Sequence, residues 1–449
     1  MTDLSTTILT NAHVITGGNE NKIWDRAFVA FEGGSIKAIG PGQPEFLTFP
    51  GATIIDMEGK LIIPGPIDGH THIAMAPFRG IVHDQANVLY DIVWPVETSI
   101  TEEDCYHLAR LGALETLKAG STAVADHYFF MDAIAKGIED VGIRGFVGET
   151  IMDMGGPFSS PQSLERAMDF YYKWNKRSPL ITPILAPHAP DTVSTNALRL
   201  CADFALSNSV PMHMHLSQTQ HEMKVMNDMY GKTPIQYMND IGGLNPFTVA
   251  AHCIFITKED IRILADTGIH AIYCPSTHAF TGYVSPVTAM LRAGINVGIG
   301  TDYVAENDDH SLYEEMRLAT MLQKLNDHNP LALQTSDVFS MATIANAKAF
   351  HQEAHLGSLA PGKAADMVVI DLNTPRLTPH YALLSTVVYA VCETDVHSVI
   401  VNGEFVLRDR KALKVNEADV IREGQKACDR IMKHASSKSP HIKTMIGKL

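Results

Sequence analysis

No stretch of the 449-residue sequence reaches the roughly 18 consecutive apolar residues that a bilayer-spanning helix requires, so no membrane span is expected. The opening, MTDLSTTILTNAHVITGG, lacks a basic segment and a long apolar core, so no secretory leader is expected there. Basic residues are the minority charge. The 35 Lys and Arg stand against 50 Asp and Glu, and the net charge of −15 opposes nucleic acid or an anionic membrane surface as a partner. Cysteine is scarce and scattered: Cys105, Cys201, Cys253, Cys274, Cys392 and Cys428 show no CxxC spacing and read as reduced, mostly buried thiols of a cytoplasmic protein. Nucleotide-binding loops are missing too. There is no GxxxxGKS/T, and Gly298-Ile299-Gly300 lacks the third glycine of a dinucleotide turn. His351-Gln352-Glu353 fits HxE, but no PCxxC follows, which excludes the zinc fold that pairs the two. Charged residues are only 19% against 45% hydrophobic, so a large core is available and disorder is not expected.

What is present divides into two β-rich flanks and a long alternating middle. TILTNAHVITG, AFVAFEGGSIKAIG and ATIIDMEGKLIIP are alternating, β-branched runs broken by glycine turns. AADMVVIDL and VHSVIVNGEFVLRD look the same near the other end, with NGEF as a hairpin turn. Both ends are therefore expected to pair into one small β-sandwich domain, from residues 1–62 and 356–415. Between them, 63–355 repeats short apolar runs followed by helical stretches, such as TAVADHYFF then MDAIAKGIEDVG, and NVGIGTD then a helix after Ser311. About eight such units in about 290 residues predict a (β/α)₈ TIM-like barrel, an α/β fold. Residues 416–434 read as an amphipathic helix, within a final segment 416–449 whose last 15 residues read as a mobile or subunit-contacting tail.

Twenty-one histidines are many, and their placement is informative. His70 and His72 follow the apolar run LIIPGPID, and residues two apart on a strand face the same way, so the two imidazoles converge. VPMHMHLSQ ends another strand, with His213 and His215 at the same parity, so spacing alone leaves either as a ligand. His252 ends TVAAHC and Asp302 ends INVGIGTD; a carboxylate closing a buried apolar strand is costly unless paired or coordinated. Such a His/carboxylate set suits one divalent ion per chain, Zn²⁺ first, with Fe²⁺ or Mn²⁺ as alternatives. No lysine ends a middle strand, which argues against a bridged pair of metals.

This order of residues resembles the amidohydrolase superfamily, in particular the branch containing S-adenosylhomocysteine/methylthioadenosine deaminases and triazine chlorohydrolases. PGPIDGHTH, GTDYVAENDDHSLYEEMRLA and GSLAPGKAADMVVIDL with VNGEFVL carry the likeness nearly end to end. The resemblance implies His70, His72, His215 and Asp302 as metal ligands. It makes Asp302 the acceptor of the water's proton and His252 a hydrogen-bonding partner of the water or attacked group. It further implies Glu97, in Trp94-Pro95-Val96-Glu97, as a grip on ribose hydroxyls, and His188, in Ala186-Pro187-His188-Ala189-Pro190, as a substrate contact. The implied activity is hydrolysis of a C–N bond in a small nitrogen heterocycle or amide-like substrate, most often deamination, by a homo-oligomer. A dechlorinating or N-dealkylating hydrolase of a triazine- or urea-like compound is the alternative, and an inactive ligand-binding relative is the alternative of another class.

The sequence departs from the branch at Gln218, which stands where the branch has a proton-shuttling Glu three residues after the third histidine ligand. An amide exchanges no proton near neutral pH but can hydrogen-bond substrate, so Gln218 is kept as a catalytic and substrate-facing candidate, and slow turnover of adenosine-type bases is expected. His221 and Glu222 are the nearest replacements as proton donors. Tyr273-Cys274-Pro275-Ser276-Thr277-His278 also differs, so His278, Tyr303, His83 and His127 are candidates to line an altered base pocket.

Overall fold

The computed structural model describes residues 6–439 apart from 19, 46, 47, 84, 86 and 87, together with 442 and 444. Its chain opens with β1 (Thr7–Ile15), β2 (Ile23–Glu32), β3 (Ser35–Pro41), β4 (Thr53–Asp56) and β5 (Lys60–Pro64). The middle carries β6 (Ile67–Thr71), β7 (Ala123–Tyr128), β8 (Arg144–Ile151), β9 (Ile181–Pro183), β10 (Ala186–Pro187), β11 (Met212–Leu216), β12 (Thr248–His252), β13 (His270–Tyr273) and β14 (Asn296–Ile299). The end adds β15 (Met367–Asp371), β16 (Val396–Val401), β17 (Glu404–Arg408) and β18 (Lys411–Ala412).

The middle strands close on themselves. β6, β7 and β8 pair in parallel, and β8 pairs both β9 and β10, which form one interrupted strand. Leu185 bridges to Met212, leading into β11, β12, β13 and β14, and Thr71 pairs with Asp302 to bring the ring back to β6. This is a (β/α)₈ barrel. Its strands are almost wholly buried, as expected where helices cover a parallel sheet from outside. The seam between β6 and β14 is tight. A Cβ on Gly300 would lie 2.6 Å from both the backbone N and O of His70, and one on Gly298 would lie 1.8 Å from Asn346 Oδ1. Asn346 donates from Nδ2 to Ile67 O (2.6 Å) and Ile299 O (2.8 Å), fastening the first strand to the last.

The two chain ends meet in one nine-stranded sheet, ordered β18-β17-β16-β15-β5-β1-β2-β3 with β4 beside β1. β5 and β15, far apart in sequence, pair antiparallel from Lys60–Asp371 to Pro64–Met367. The NGEF turn forms as expected: Asn402 (φ 52°) and Gly403 (φ 76°) are both left-handed, as a two-residue hairpin loop requires. The final helix is longer than the sequence suggested, running Glu417–Lys438 behind an Asn416 side-chain cap. Arg430 on it pairs with buried Asp104, which completes the Thr101 capping box of helix Glu102–Lys118, and clamps it to the barrel. The expected tail thus begins later. Residues 440, 441, 443 and 445–449 of it lie outside the described residues.

Candidate metal-centred active site

Parallel strands deliver all their C-terminal ends to one mouth of the barrel, and the polar residues of the sequence pattern gather there. His70, His72, His215, His252 and Asp302 come together. β11 turns both of its histidines inward, one layer apart. His213 Nε2 lies 3.0 Å from His70 Nδ1, beneath the cluster, whereas His215 Nε2 faces His72 Nε2 at 3.3 Å. Of the two, only His215 presents its Nε2 to His72, while His213 braces His70.

The hydrogen-bond pattern fixes which nitrogens are free. His72 Nδ1 donates to His127 O (2.9 Å) and His215 Nδ1 donates to His188 O (3.0 Å). A carbonyl only accepts, so with both rings neutral the two Nε2 atoms present lone pairs to each other. His70 Nε2 is buried with no hydrogen-bond partner, 3.4 Å from Asp302 Oδ1, which is itself 3.5 Å from His72 Nε2. Burial holds the imidazoles of His70 and His215 well below the ordinary histidine range, so both are neutral donors. Burial also opposes protonation of His72, but the Asp126 carboxylate, 3.7 Å from its Nδ1, and the Asp302 charge outweigh it and raise that ring. Facing lone pairs beside a carboxylate repel unless a cation lies among them. Three imidazole nitrogens and one carboxylate oxygen suit a divalent ion.

Asp302 occupies left-handed backbone (φ 59°), unusual for a residue with a side chain, and His252 does the same (φ 79°). Hydrogen bonds hold Asp302 there: its N donates to His70 O (2.8 Å) and His72 N donates to its O (3.2 Å). Burial pushes its carboxyl up to about 6, against the pull of His72. His252 Nε2 stands 4.0 Å from Asp302 Oδ2.

Glu97, His188, Gln218 and Tyr303 all line the cavity above the cluster. Glu97 accepts the Tyr128 hydroxyl (2.6 Å) and is pushed up to about 7 by burial. His188 bonds Thr192 through Nδ1 (2.8 Å) and is lowered to about 3, mainly by burial. The Oε1 of Gln218 is buried without a partner.

Four expectations need correction. His278 does not face the cavity: the helix Pro275–Thr281 carries Thr277 to the wall and sets His278 behind His252, its Nε2 3.3 Å from His252 Nδ1. His83 is exposed and pairs with Asp308 outside the wall. Glu222 points back into its own loop, accepting Ser217 N (2.9 Å) and Gln218 N (2.7 Å), and His221 is exposed against the Tyr90 ring; neither lines the cavity. His127 does line it, and its ring also joins the nitrogen cluster of His70, His72 and His215. Glu306, which the sequence reading passed over inside GTDYVAENDD, lines the cavity as well. Its only signal was a carboxylate four positions beyond Asp302 on a loop without periodicity.

A closed parallel barrel with a buried histidine–carboxylate cluster at its C-terminal mouth defines a metal-centred barrel enzyme class. The chain belongs to the amidohydrolase family, which matches residues 61–406. It is 34% identical over 434 residues to the 5′-deoxyadenosine deaminase of Methanosarcina mazei, covering 96% of this chain and 99% of that protein. It is also 34% identical over 418 residues to the 5-methylthioadenosine/S-adenosylhomocysteine deaminase of Caldanaerobacter subterraneus subsp. tengcongensis, covering 92% and 96%. Among solved structures, an adenosine deaminase from Xanthomonas campestris with bound zinc superposes with a TM-score of 0.90 at 27% identity, covering 96% of this chain and 99% of that one. Atrazine chlorohydrolase TrzN from Arthrobacter aurescens, at 21% identity and a TM-score of 0.83 over 94% of this chain and 100% of that one, shares the fold.

Proposed function

We propose that this chain is a metal-dependent aminohydrolase that removes ammonia from an uncharged, amino-substituted nitrogen heterocycle of nucleoside type. The observation that carries it is the pair of facing Nε2 atoms of His72 and His215, closed off by His70 and Asp302. These four residues would hold the ion, with zinc favoured by the nitrogen-rich donor set and by the zinc-bound relative. A divalent ion there supplies Lewis acidity that makes water nucleophilic near neutral pH.

The chain's own groups do the rest. Asp302, beside the ion site and raised by burial, takes the proton of the attacking water and returns it to the departing nitrogen. His252, with its Nε2 turned to Asp302, hydrogen-bonds the group under attack. Glu97 and His188 orient the substrate from the cavity wall, and Gln218 offers an unpaired amide oxygen to a ring or amino N–H. No lysine or arginine lines the cavity among the described residues, which favours neutral substrates over anionic ones. We also propose that residues 63–355 form the barrel unit and that 1–62 and 356–415 fold as one β-sandwich around the shared core of Leu9, Val29, Ile62, Met367 and Ile400, with 416–449 as its helix and tail. A homo-oligomer working in the cytoplasm on a small molecule completes this reading.

The test is metal analysis with ammonia release from adenosine, 5′-deoxyadenosine, methylthioadenosine and an aminotriazine. One zinc per chain and ammonia from a neutral nucleoside are expected, and His72→Ala should lose zinc and activity together. Chloride or alkylamine release instead of ammonia would move the reading to the triazine hydrolases.

A further inference from the structure

Hydrolytic deamination needs a group that gives a proton to the ring nitrogen as water adds, and the side chain at position 218 is a glutamine, which has none to give. Few other groups on the cavity wall can do so. The His215 ring is neutral and turned to the cation site, and His188 is neutral and bonded to Thr192. The Tyr128 hydroxyl is committed to Glu97, which in turn is held by it. Glu306 is the carboxyl that remains.

We propose that Glu306 is a catalytic residue, supplying from the loop after β14 the proton that position 218 cannot supply from the loop after β11. The inference rests on the aminohydrolase reading above. Four observations place the group. Glu306 lines the same cavity as Asp302 and Gln218. Its loop is pinned on both sides: Asn307 Nδ2 donates to Thr301 O (2.9 Å) and Glu315 Oε1 (2.9 Å), and Gly80 N donates to Asp308 Oδ1 (2.8 Å). The groups that act on it are the Tyr303 hydroxyl and the Asp302 carboxyl, and it forms no ion pair with Lys, Arg or His among the described residues. Burial, opposed by the Tyr303 hydroxyl, is the chief cause that pushes its carboxyl up to about 8, which favours the protonated form.

The proton count closes. Water oxygen bonds to the amino-bearing carbon while one water proton passes to Asp302 and the Glu306 proton passes to the ring nitrogen, breaking the C=N π bond. Asp302 then protonates the amino group, the C–N bond breaks, and ammonia leaves. The adduct hydroxyl becomes the carbonyl and its proton restores Glu306. One water is consumed, one ammonia is released, and both carboxyls return to their starting state. With this donor in place, the glutamine at 218 no longer implies slow turnover of adenosine-type bases.

The test uses zinc-loaded full-length protein with adenosine, 5′-deoxyadenosine and methylthioadenosine as probes. Glu306→Gln should lower kcat by about 10²–10⁴-fold while zinc stays at the wild-type level, and adding Gln218→Glu to it should restore part of the loss. A kcat for Glu306→Gln within threefold of wild type overturns the proposal. A second arm needs no substrate: infrared spectra at pH 7 should show a protonated-carboxyl band that Glu306→Gln removes, and identical spectra overturn the proposal. If wild type releases ammonia from none of the probes, the aminohydrolase reading fails, while the band still decides whether Glu306 carries a proton.

Discussion

His213 is the residue whose role turns on one layer of side chains. It shares strand, parity and chemistry with His215, and nothing in VPMHMHLSQ distinguishes them, because both face the barrel interior. The distinction is depth: the lower ring braces His70 at 3.0 Å, and only the upper one meets His72. Groups that orient a metal's ligands usually contribute 10- to 100-fold to its affinity. His213→Ala should therefore weaken zinc binding by roughly that factor with the fold retained, measured by chelator competition. Unchanged affinity would mean that His70 needs no brace. The strand-end histidines and Asp302 were legible from sequence because a buried strand that ends in a polar side chain demands an explanation. Glu306 was not, since it lies on an aperiodic loop, and neither was the place of His127 in the nitrogen cluster, since its strand has no polar neighbour of matching parity.

Among the elements, the β6–β14 seam carries most of the precision of the site. Gly298 and Gly300 read in the sequence only as an incomplete nucleotide fingerprint. In the fold they are small because Asn346 and the His70 backbone fill the space where a side chain would go. Gly300→Ala would set a methyl 2.6 Å from the His70 backbone, which cannot swing aside as a flexible side chain would. Overpacking of this kind typically costs about 1–3 kcal/mol. Zinc content well below wild type and a lower Tm are expected, and a variant with full zinc and unchanged Tm would refute the seam's role. The alternation of strands and helices was readable throughout the middle. The split of ITPILAPHAP into β9 and β10 was not, because Pro183 and Pro187 interrupt the ladder donors of a run that otherwise looks continuous.

At the scale of the whole molecule, acidic groups are buried away from the metal cluster as well as near it. Glu149 accepts Met131 N (2.7 Å) and is pushed up to about 7, chiefly by burial. A carboxyl raised in the folded state binds its proton more tightly there than in the unfolded chain. Its stabilising contribution is complete below the unfolded value near 4.5 and is lost as pH rises through about 7. The Tm of metal-free protein should fall between pH 5 and pH 8, and Glu149→Gln should flatten that slope in a thermal-shift series. An unaltered slope would show that Glu149 ionises normally. The pairing of the chain ends was anticipated from their matching β patterns, whereas the β5–β15 register that joins them was not, because no local signal spans that distance.

That distance also bears on how the protein comes to be assembled. Thr71, between two of the metal-facing histidines, pairs with Asp302 from 231 positions away. Contacts so remote along the chain form late and slowly, because closing the intervening loop sacrifices conformational freedom before any contact rewards it. During synthesis, Asp302 leaves the ribosome only after all eight barrel strands. The binding centre is therefore a record of completed folding: an ion captured with full affinity certifies that the first and last strands have found each other.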